Sequence, residues 1–233
     1  MAPKIVVLTG AGISAESGLQ TFRAEDGLWC DHRVEDVATP EGFARDPGTV
    51  QRFYDQRRAE ALAAQPNPAH LALARLEHEV APDLVIITQN VDDLHERADS
   101  GHVIHLHGEL NSAWCLACGT RMPWTKPLAD DPPCPACGSR RLRPDIVWFG
   151  EGVYHLDQIE AAMHGCELFV VIGTSGVVYP AAGLAALAGA HGARTVLLNL
   201  EAQDGGFGYD EERYGPASDI VPGWADDYRL SLE

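Results

Sequence analysis

Short, nearly unbroken apolar runs alternate along the chain with stretches of helical pattern. Ile5 to Leu8, Leu84 to Thr88, Leu168 to Ile172 and Thr195 to Leu200 are each brief and rich in branched side chains. Such runs fit strands covered on both faces, where no position needs to be polar. Ala69 to Val80 and Ala181 to Ala190 read as helices between them. Alternating strands and helices predict a parallel sheet with right-handed crossovers, a doubly wound α/β fold.

Two stretches break this rhythm. Residues from about Thr21 to Pro68 contain no good strand and read as a loop followed by helices, one of them around Val50 to Ala64. Residues from about Cys115 to Arg143 are rich in Pro, Cys and Gly and too poor in apolar residues for a core of their own. Both read as insertions that together build a smaller lobe. The expected division assigns 1–30, 81–112 and 144–233 to the sheet domain. It assigns 31–80 to a cofactor loop and the helical part of the small lobe, and 113–143 to a metal-binding module.

That module has its own chemistry. Cys115 and Cys118 form one C-x-x-C pair, Cys134 and Cys137 a second, with 15 residues between the pairs. The spacing matches a zinc ribbon, in which two knuckles complete a tetrahedral four-sulfur shell. Gly119 and Gly138 follow each pair, where a knuckle turn needs a permissive backbone. Four thiolates leave no open coordination position, so the expected zinc is structural. Cys30 and Cys166 are isolated and read as small hydrophobes.

Composition narrows the function. The chain has 233 residues and a formal net charge of -17. An acidic surface has little attraction for phosphate backbones, which argues against nucleic-acid binding. No secretory leader and no bilayer-spanning apolar run is expected, so the reading is a cytoplasmic protein. Nothing in the sequence speaks to oligomeric state.

The first strand runs into Gly10, Ala11, Gly12, Ile13, Ser14 and Ala15, a G-x-G-x-x-A turn at the start of an expected helix. Glycines there let backbone approach a pyrophosphate at a helix N-terminus, which makes the sheet Rossmann-like. A redox dinucleotide unit would continue into a second strand ending in an acidic residue. The window here holds Asp26, Gly27, Leu28, Trp29, Cys30 and Asp31, which is not a strand. That departure argues against ordinary hydride transfer.

The motifs together resemble the sirtuin family over nearly the whole chain. Gly10 to Ser14, Ser17-Gly18, Thr21-Phe22-Arg23, Thr88 to Asp92, His107-Gly108, Gly173-Thr174-Ser175, Asn199-Leu200-Glu201 and the double C-x-x-C stand in family order. Leu19-Gln20 departs from the Ile and Pro or Arg of many relatives, without an evident catalytic cost. The resemblance implies an NAD-consuming lysine deacylase that yields nicotinamide and 2'-O-acyl-ADP-ribose. Its substrates would be acylated-lysine proteins. By that resemblance His107 is the catalytic base, a task suited to imidazole near neutral pH. His105, two residues away, reads as a packed residue.

Asn90 would order the ribose and nearby water, Asp92 would receive the nicotinamide carboxamide, and Gln89 would contact ribose. Phe22 would shield the reacting sugar and Arg23 would lie near the phosphates. Thr174 and Ser175 would also approach phosphate, while Asn199 and Glu201 suit the adenosine ribose. Gly10, Ala11, Gly12, Ser14, Ala15, Glu16, Thr21, Trp29, Val91, Gly173, Leu200 and Ala217 complete the expected NAD contacts.

Tyr54 and Arg57 are spaced to share a helical face and resemble the Tyr-x-x-Arg pair of the subclass that removes succinyl and malonyl groups. Asp36 to Glu41 resembles a loop of the same subclass. A buried acyl carboxylate is costly unless a guanidinium meets it with paired hydrogen bonds. The segment Val147-Trp148-Phe149-Gly150-Glu151, with Val147, Phe149 and Gly150 as its expected substrate contacts, and the segment Gly176 to Tyr179 resemble the two that hold a substrate peptide by strand addition. Rival readings are an NAD-dependent oxidoreductase, a mono-ADP-ribosyltransferase and a noncatalytic zinc-ribbon module.

Overall fold

The computed structural model describes residues 4–20, 28–29, 32–203 and 207–232, and of Leu28 the backbone alone. In chain order the elements are β1 (Ile5–Thr9), a 3-10 turn (Ala11–Ser17), β2 (Leu28–Trp29), β3 (His32–Arg33), α1 (Val34–Val37), α2 (Pro40–Arg45), α3 (Pro47–Ala63) and α4 (Pro68–Glu79). There follow β4 (Val85–Thr88), α5 (Leu94–Arg97), β5 (Val103–His105), β6 (Gly108–Cys115), β7 (Arg121–Pro123) and β8 (Leu142–Ile146). The chain continues with α6 (Leu156–Met163), β9 (Leu168–Ile172), α7 (Ala181–Ala190), β10 (Arg194–Asn199), β11 (Glu211–Tyr214) and α8 (Ala217–Leu230).

The main sheet has six strands in the order β11-β10-β9-β1-β4-β5, all parallel. Numbered within the sheet alone, this is the doubly wound Rossmann order, with its reversal between β1 and β9. Ligands bind at such a reversal, outside the carboxyl ends of the strands. The four expected strands are its interior. Both faces of β1 and β9 are buried, which explains their unbroken apolar runs. One face packs Ile5, Val7, Leu73, Leu76, Val170 and Trp224 among others, with α4 and α8 on top. The other packs Val6, Leu8, Phe169, Val171, Ile159 and Ala185, under α6 and α7. Leu73 is fully buried, so truncating it to Ala costs about 2–5 kcal/mol.

A second, antiparallel sheet in the order β7-β6-β8 carries the cysteine module. It corrects the expected lobe boundaries. β6 begins at Gly108 and β8 runs to Ile146, so residues assigned to the sheet domain on either side of the module belong to the small sheet. α4, expected in the small lobe, packs in the main core instead. Its apolar face, with Ala69, Ala72, Leu73 and Leu76 buried, follows helical spacing and needs the large sheet to cover it.

Helix α3 is the spine of the small lobe. Asp46 caps its first turn by accepting from the Thr49 amide at 3.0 Å, and Pro47 fits the first helical position. Arg58, 2% exposed, donates to the Leu110 carbonyl at 2.6 Å and to Asp55 at 2.6 Å. Asp55 in turn accepts the Leu128 and Ala129 amides, tying the helix to the cysteine module. None of the described helices is long and apolar enough to cross a membrane.

Candidate active site and metal centre

The loops leaving β1, β4 and β9 meet where the strand order reverses. The Gly10 amide bonds the Ile172 carbonyl at 3.0 Å, and the Gly12 amide bonds Gly173 at 2.8 Å. A β-carbon on Gly12 would stand 2.7 Å from the Gly173 α-carbon, and Gly173 itself has φ +60°. These glycines are therefore required by the close approach of two backbones. The expected helix after them is a 3-10 turn, with Ile13 and Ser14 buried, Ala11 half-buried and Ala15 exposed.

Polar side chains knit the same exits together. Gln89 Nε2 donates to Thr174 Oγ1 at 3.0 Å, and Asn199 Nδ2 to the Thr174 carbonyl at 3.3 Å. Asn90 Nδ2 donates to Ser14 Oγ at 3.1 Å, and Ser14 Oγ donates to Asp92 Oδ2 at 3.2 Å. The other Asp92 oxygen accepts the Leu94 amide at 3.2 Å. One carboxylate thus holds the first amide of α5 and reaches the site. Burial raises its pKa, against the lowering pull of those hydrogen bonds.

Two residues behind Ser14 escaped the sequence reading. His70 Nδ1 accepts the Asn67 amide at 3.3 Å, so its proton resides on Nε2, 3.5 Å from Ser14 Oγ. His95, fully enclosed, lies 3.0 Å from Thr9 Oγ1 and packs against His70 with ring centroids 4.9 Å apart and planes inclined at 60°. Burial lowers both pKa values, that of His70 to about 4. Neither residue has a sequence signal beyond a histidine on an apolar helix face.

His107 occupies the turn between β5 and β6. Its Nδ1 is 3.1 Å from the Gln89 carbonyl. A carbonyl only accepts, so Nδ1 carries the proton and Nε2 keeps its lone pair. Burial lowers the pKa of this imidazole and favours the neutral, basic form. His105 bonds the next carbonyl, that of Asn90, at 3.1 Å and meets Glu96 at 2.7 Å. Burial works against the charge on its ring too, but the Glu96 carboxylate prevails and its pKa is raised.

In the small lobe the ligand atoms of Cys115, Cys118, Cys134 and Cys137 all lie within 4.8 Å of one another. Cys115 and Cys137 sulfurs are 3.7 Å apart, and those of Cys118 and Cys134 3.9 Å. Sulfurs at about 2.3 Å from a tetrahedral zinc lie about 3.8 Å from each other, so these two spacings fit that ion. Both knuckles turn as expected, with Gly119 at φ +76° and Gly138 at φ +75°.

A family model described as the Sir2 family matches residues 10–180. The chain is 51% identical over 233 residues to a protein of Salmonella typhimurium called an NAD-dependent protein deacylase, covering 99% of this chain and 85% of that one. A protein of the same name from Yersinia pseudotuberculosis is 54% identical, covering 94% and 80%. The chain belongs to the Sir2 family. A Sir2 homologue solved in complex with NAD superposes with TM-score 0.87 at 40% identity, covering 98% of this chain and 90% of that one. A Sir2 protein bound to a propionylated peptide superposes with TM-score 0.82 at 30% identity, covering 98% and 94%.

The remaining expected positions of this sirtuin fall in several places. Thr21, Phe22 and Arg23, like Cys30, lie outside the described residues. Glu16 accepts the Ser218 amide at 2.9 Å, at the start of α8 beside buried Ala217. Leu200 and Glu201 are exposed beyond β10, and Ser175 is exposed beyond β9. Val91 and Trp29 pack instead against the small-lobe cluster of Val50, Phe53, Tyr54 and Trp148. The Val147 amide bonds the His107 carbonyl at 2.9 Å, and the Phe149 amide bonds Ala38 at 2.9 Å. The expected peptide segment therefore runs beside the imidazole, with Phe149 49% exposed and Gly150 at φ +90°.

Tyr54 is fully buried and accepts from the Trp148 indole at 3.0 Å. Arg57 is 8% exposed, lies 5.4 Å from the centre of the Phe53 ring, and donates through Nη2 to Glu60 at 2.6 Å. Its Nε and Nη1 are buried without a partner among the described residues. Sequence reasoning placed Trp148 and Glu151 in the peptide-holding segment but missed Arg143 and the clamp that seats the indole. Arg143, 3% exposed, lies 3.3 Å from the Trp148 ring centre and forks onto Glu151 at 2.7 and 3.0 Å. A charged residue in a strand with no apolar alternation gave no signal for such a role.

Proposed function

We propose that this sirtuin is an NAD-dependent protein-lysine deacylase that uses His107 as its base and removes acetyl, succinyl and malonyl groups. The observation carrying the reading is the orientation of His107, with Nδ1–H held by the Gln89 carbonyl and Nε2 left basic beside the strand exits. The relatives named NAD-dependent protein deacylase support the class of reaction. NAD would supply the electrophile: the acyl oxygen of the modified lysine would bond its anomeric carbon as nicotinamide departs, and attack by the ribose 2'-hydroxyl with addition of one water would break the acyl–nitrogen bond, releasing the free lysine amine and leaving the acyl group on the ribose 2'-oxygen.

The chain's own residues do the rest. Ser14, Asn90 and Asp92 form a buried donor–acceptor array suited to a carboxamide and the adjoining ribose. Gln89, Thr174 and Asn199 come from the exits of β4, β9 and β10, which flank β1 on either side, where a nucleotide would lie. His107 Nε2 takes the proton from a ribose hydroxyl. Val147 to Gly150 and Gly176 to Tyr179 pair with the substrate main chain, so the preference among acylated-lysine proteins is broad. The four cysteines hold a structural zinc, because sulfur fills every position around it. Thiols of this kind persist in the reducing cytoplasm, where we place the protein.

The acidic acyl specificity rests on Arg57. A buried guanidinium with two bare nitrogens is an anion site awaiting its anion. Mass spectrometry of NAD reactions with acetyl-, succinyl- and malonyl-lysine peptides tests both parts. Nicotinamide and acyl-ADP-ribose are expected with wild type and absent with His107→Ala. Reduced nicotinamide, or label retained on protein, would instead favour an oxidoreductase or an ADP-ribosyltransferase.

A further inference from the structure

The segment expected to hold the substrate peptide has two sides. Phe149 is 49% exposed, whereas Trp148 before it is 2% exposed and packs inward against Tyr54, in the cluster that also holds Val50 and Phe53. The indole is seated from two directions. Glu151 Oε2 accepts the Trp148 amide at 2.9 Å. The Arg143 guanidinium grips the same carboxylate through Nη1 and Nη2 and covers the indole, 3.3 Å from the ring centre. A cation over an aromatic face is held most firmly where water is excluded, so the indole has little freedom to turn.

The seated indole decides what the Tyr54 hydroxyl can do. An indole N–H only donates, so across the 3.0 Å contact the Tyr54 oxygen is the acceptor. Its hydrogen therefore turns away from the indole. Burial raises the Tyr54 pKa, and the phenol keeps that hydrogen at neutral pH. Among the described residues the hydrogen meets no acceptor. One turn further along α3 stand the two bare nitrogens of Arg57. Tyr54 and Arg57 thus both hold unspent hydrogens, as a site for an anion requires. A phenol free of the indole could turn either its hydrogen or its lone pair toward a ligand, and a lone pair aimed at a carboxylate repels it.

We propose that Trp148 is a specificity-positioning residue for acidic acyl groups: its indole N–H occupies the Tyr54 oxygen, so that the phenol presents its hydrogen to the acyl carboxylate. The inference rests on Tyr54 and Arg57 being the acyl-carboxylate partners, and it adds a residue that acts through Tyr54. A hydroxyl that accepts one hydrogen bond is also polarised into a stronger donor of the next. The methyl end of an acetyl group has no use for that hydrogen, so the effect falls on acidic acyl groups.

The test compares wild type, Tyr54→Phe, Trp148→Phe, the double variant and Arg57→Met on acetyl- and succinyl-lysine peptides of one sequence. Effects on peptide holding that both substrates share cancel in the succinyl-to-acetyl ratio of kcat/KM. Thermal melting checks folding. Replacing Trp148 by β-(3-benzothienyl)alanine, which carries sulfur in place of the indole N–H, removes the donor and keeps the bulk of the ring. Both Trp148 replacements are expected to lower the ratio about threefold to tenfold, the worth of one neutral hydrogen bond. The loss should appear as a higher succinyl KM with kcat little altered. Added to Tyr54→Phe, Trp148→Phe should lower the ratio no further, because the group it acts through is gone, whereas an independent loss of packing would add in full. A ratio that both Trp148 replacements leave unchanged, or lower as much without the Tyr54 hydroxyl as with it, overturns the role of Trp148. So does a Tyr54→Phe variant with the wild-type ratio when Arg57→Met still lowers it. If Tyr54→Phe and Arg57→Met both keep the wild-type ratio, the carboxylate pocket itself is wrong and the role of the indole falls with it.

Discussion

The strand exits and the acyl end of helix α3 are built on opposite plans. At the exits, main chain meets main chain, and the polar side chains bond one another: Gln89 to Thr174, Asn90 to Ser14, Ser14 to Asp92. Along α3, two nitrogens of a buried guanidinium have no partner among the described residues, and the third leans on a half-exposed carboxylate. The first region is arranged once and holds its shape. The second is left incomplete, and incompleteness is what allows a pocket to choose among ligands. Chemistry common to all substrates belongs in the first; discrimination belongs in the second.

Stripping the metal should affect both regions. Structural zinc contributes apparent binding energies of about 10–16 kcal/mol in small modules, which is folding energy. A strong chelator, or Cys134→Ser, is expected to lower the melting temperature and abolish turnover of every acyl-lysine, with loss of zinc read by metal analysis. Retained acetyl-lysine turnover in a zinc-free preparation would separate the exits from the cysteine module, which Asp55 ties to α3.

His107→Ala should strike the exits alone. General-base loss costs about 10²–10⁴ in rate, and the cost should be alike for acetyl and succinyl peptides. Unequal losses would blur the division between the two regions. Arg57→Met should do the reverse: succinyl kcat/KM falls about tenfold or more relative to acetyl, as expected when a charge-assisted fork is lost. Equal losses would remove the pair from the acyl pocket.

A gentler probe is pH. His107 has its pKa lowered by burial, so it stays neutral, and able to take a proton, to below its ordinary value. The acid limb of kcat/KM is expected below pH ~6.5, and a limb above that value would contradict the assigned base. His105 runs the other way. Burial opposes its charge, yet Glu96 raises the pKa on balance. A raised folded value stabilises the protein below the unfolded pKa, and that gain fades as pH rises through the folded one. Glu96 is 42% exposed, so Glu96→Gln should cost only about 0.2–1 kcal/mol at acidic pH and less at alkaline pH, measured by urea unfolding. A cost that grows with pH would reverse the assignment of charge between the two imidazoles.

Legibility followed burial. The interior strands of the large sheet stood out because both of their faces are covered and their residues are almost wholly apolar. The edge strands Val103–His105 and Glu211–Tyr214 were silent. One is very short, and the other alternates half-buried with exposed positions in a charged stretch. Strand Leu142–Ile146 is fully buried yet carries Arg143 and Asp145, whose partners Glu151, Arg121 and Tyr154 come from elsewhere in the chain. No local pattern reports a charge satisfied by distant residues. The cysteine cluster was legible because ligand spacing is itself geometric information. Gly10 and Gly12 were found for a different reason than the structure gives: the sequence pointed to a phosphate, and the backbone of Gly173 is what lies against them.

The same seam sets how freely the protein can drift. A randomised library at position 12 should return glycine almost alone, since even one added carbon would sit 2.7 Å from a neighbouring α-carbon. Positions 82 and 83, which face water before β4, should return nearly anything that keeps the enzyme soluble. Variation will accumulate around this joint and spare the joint itself.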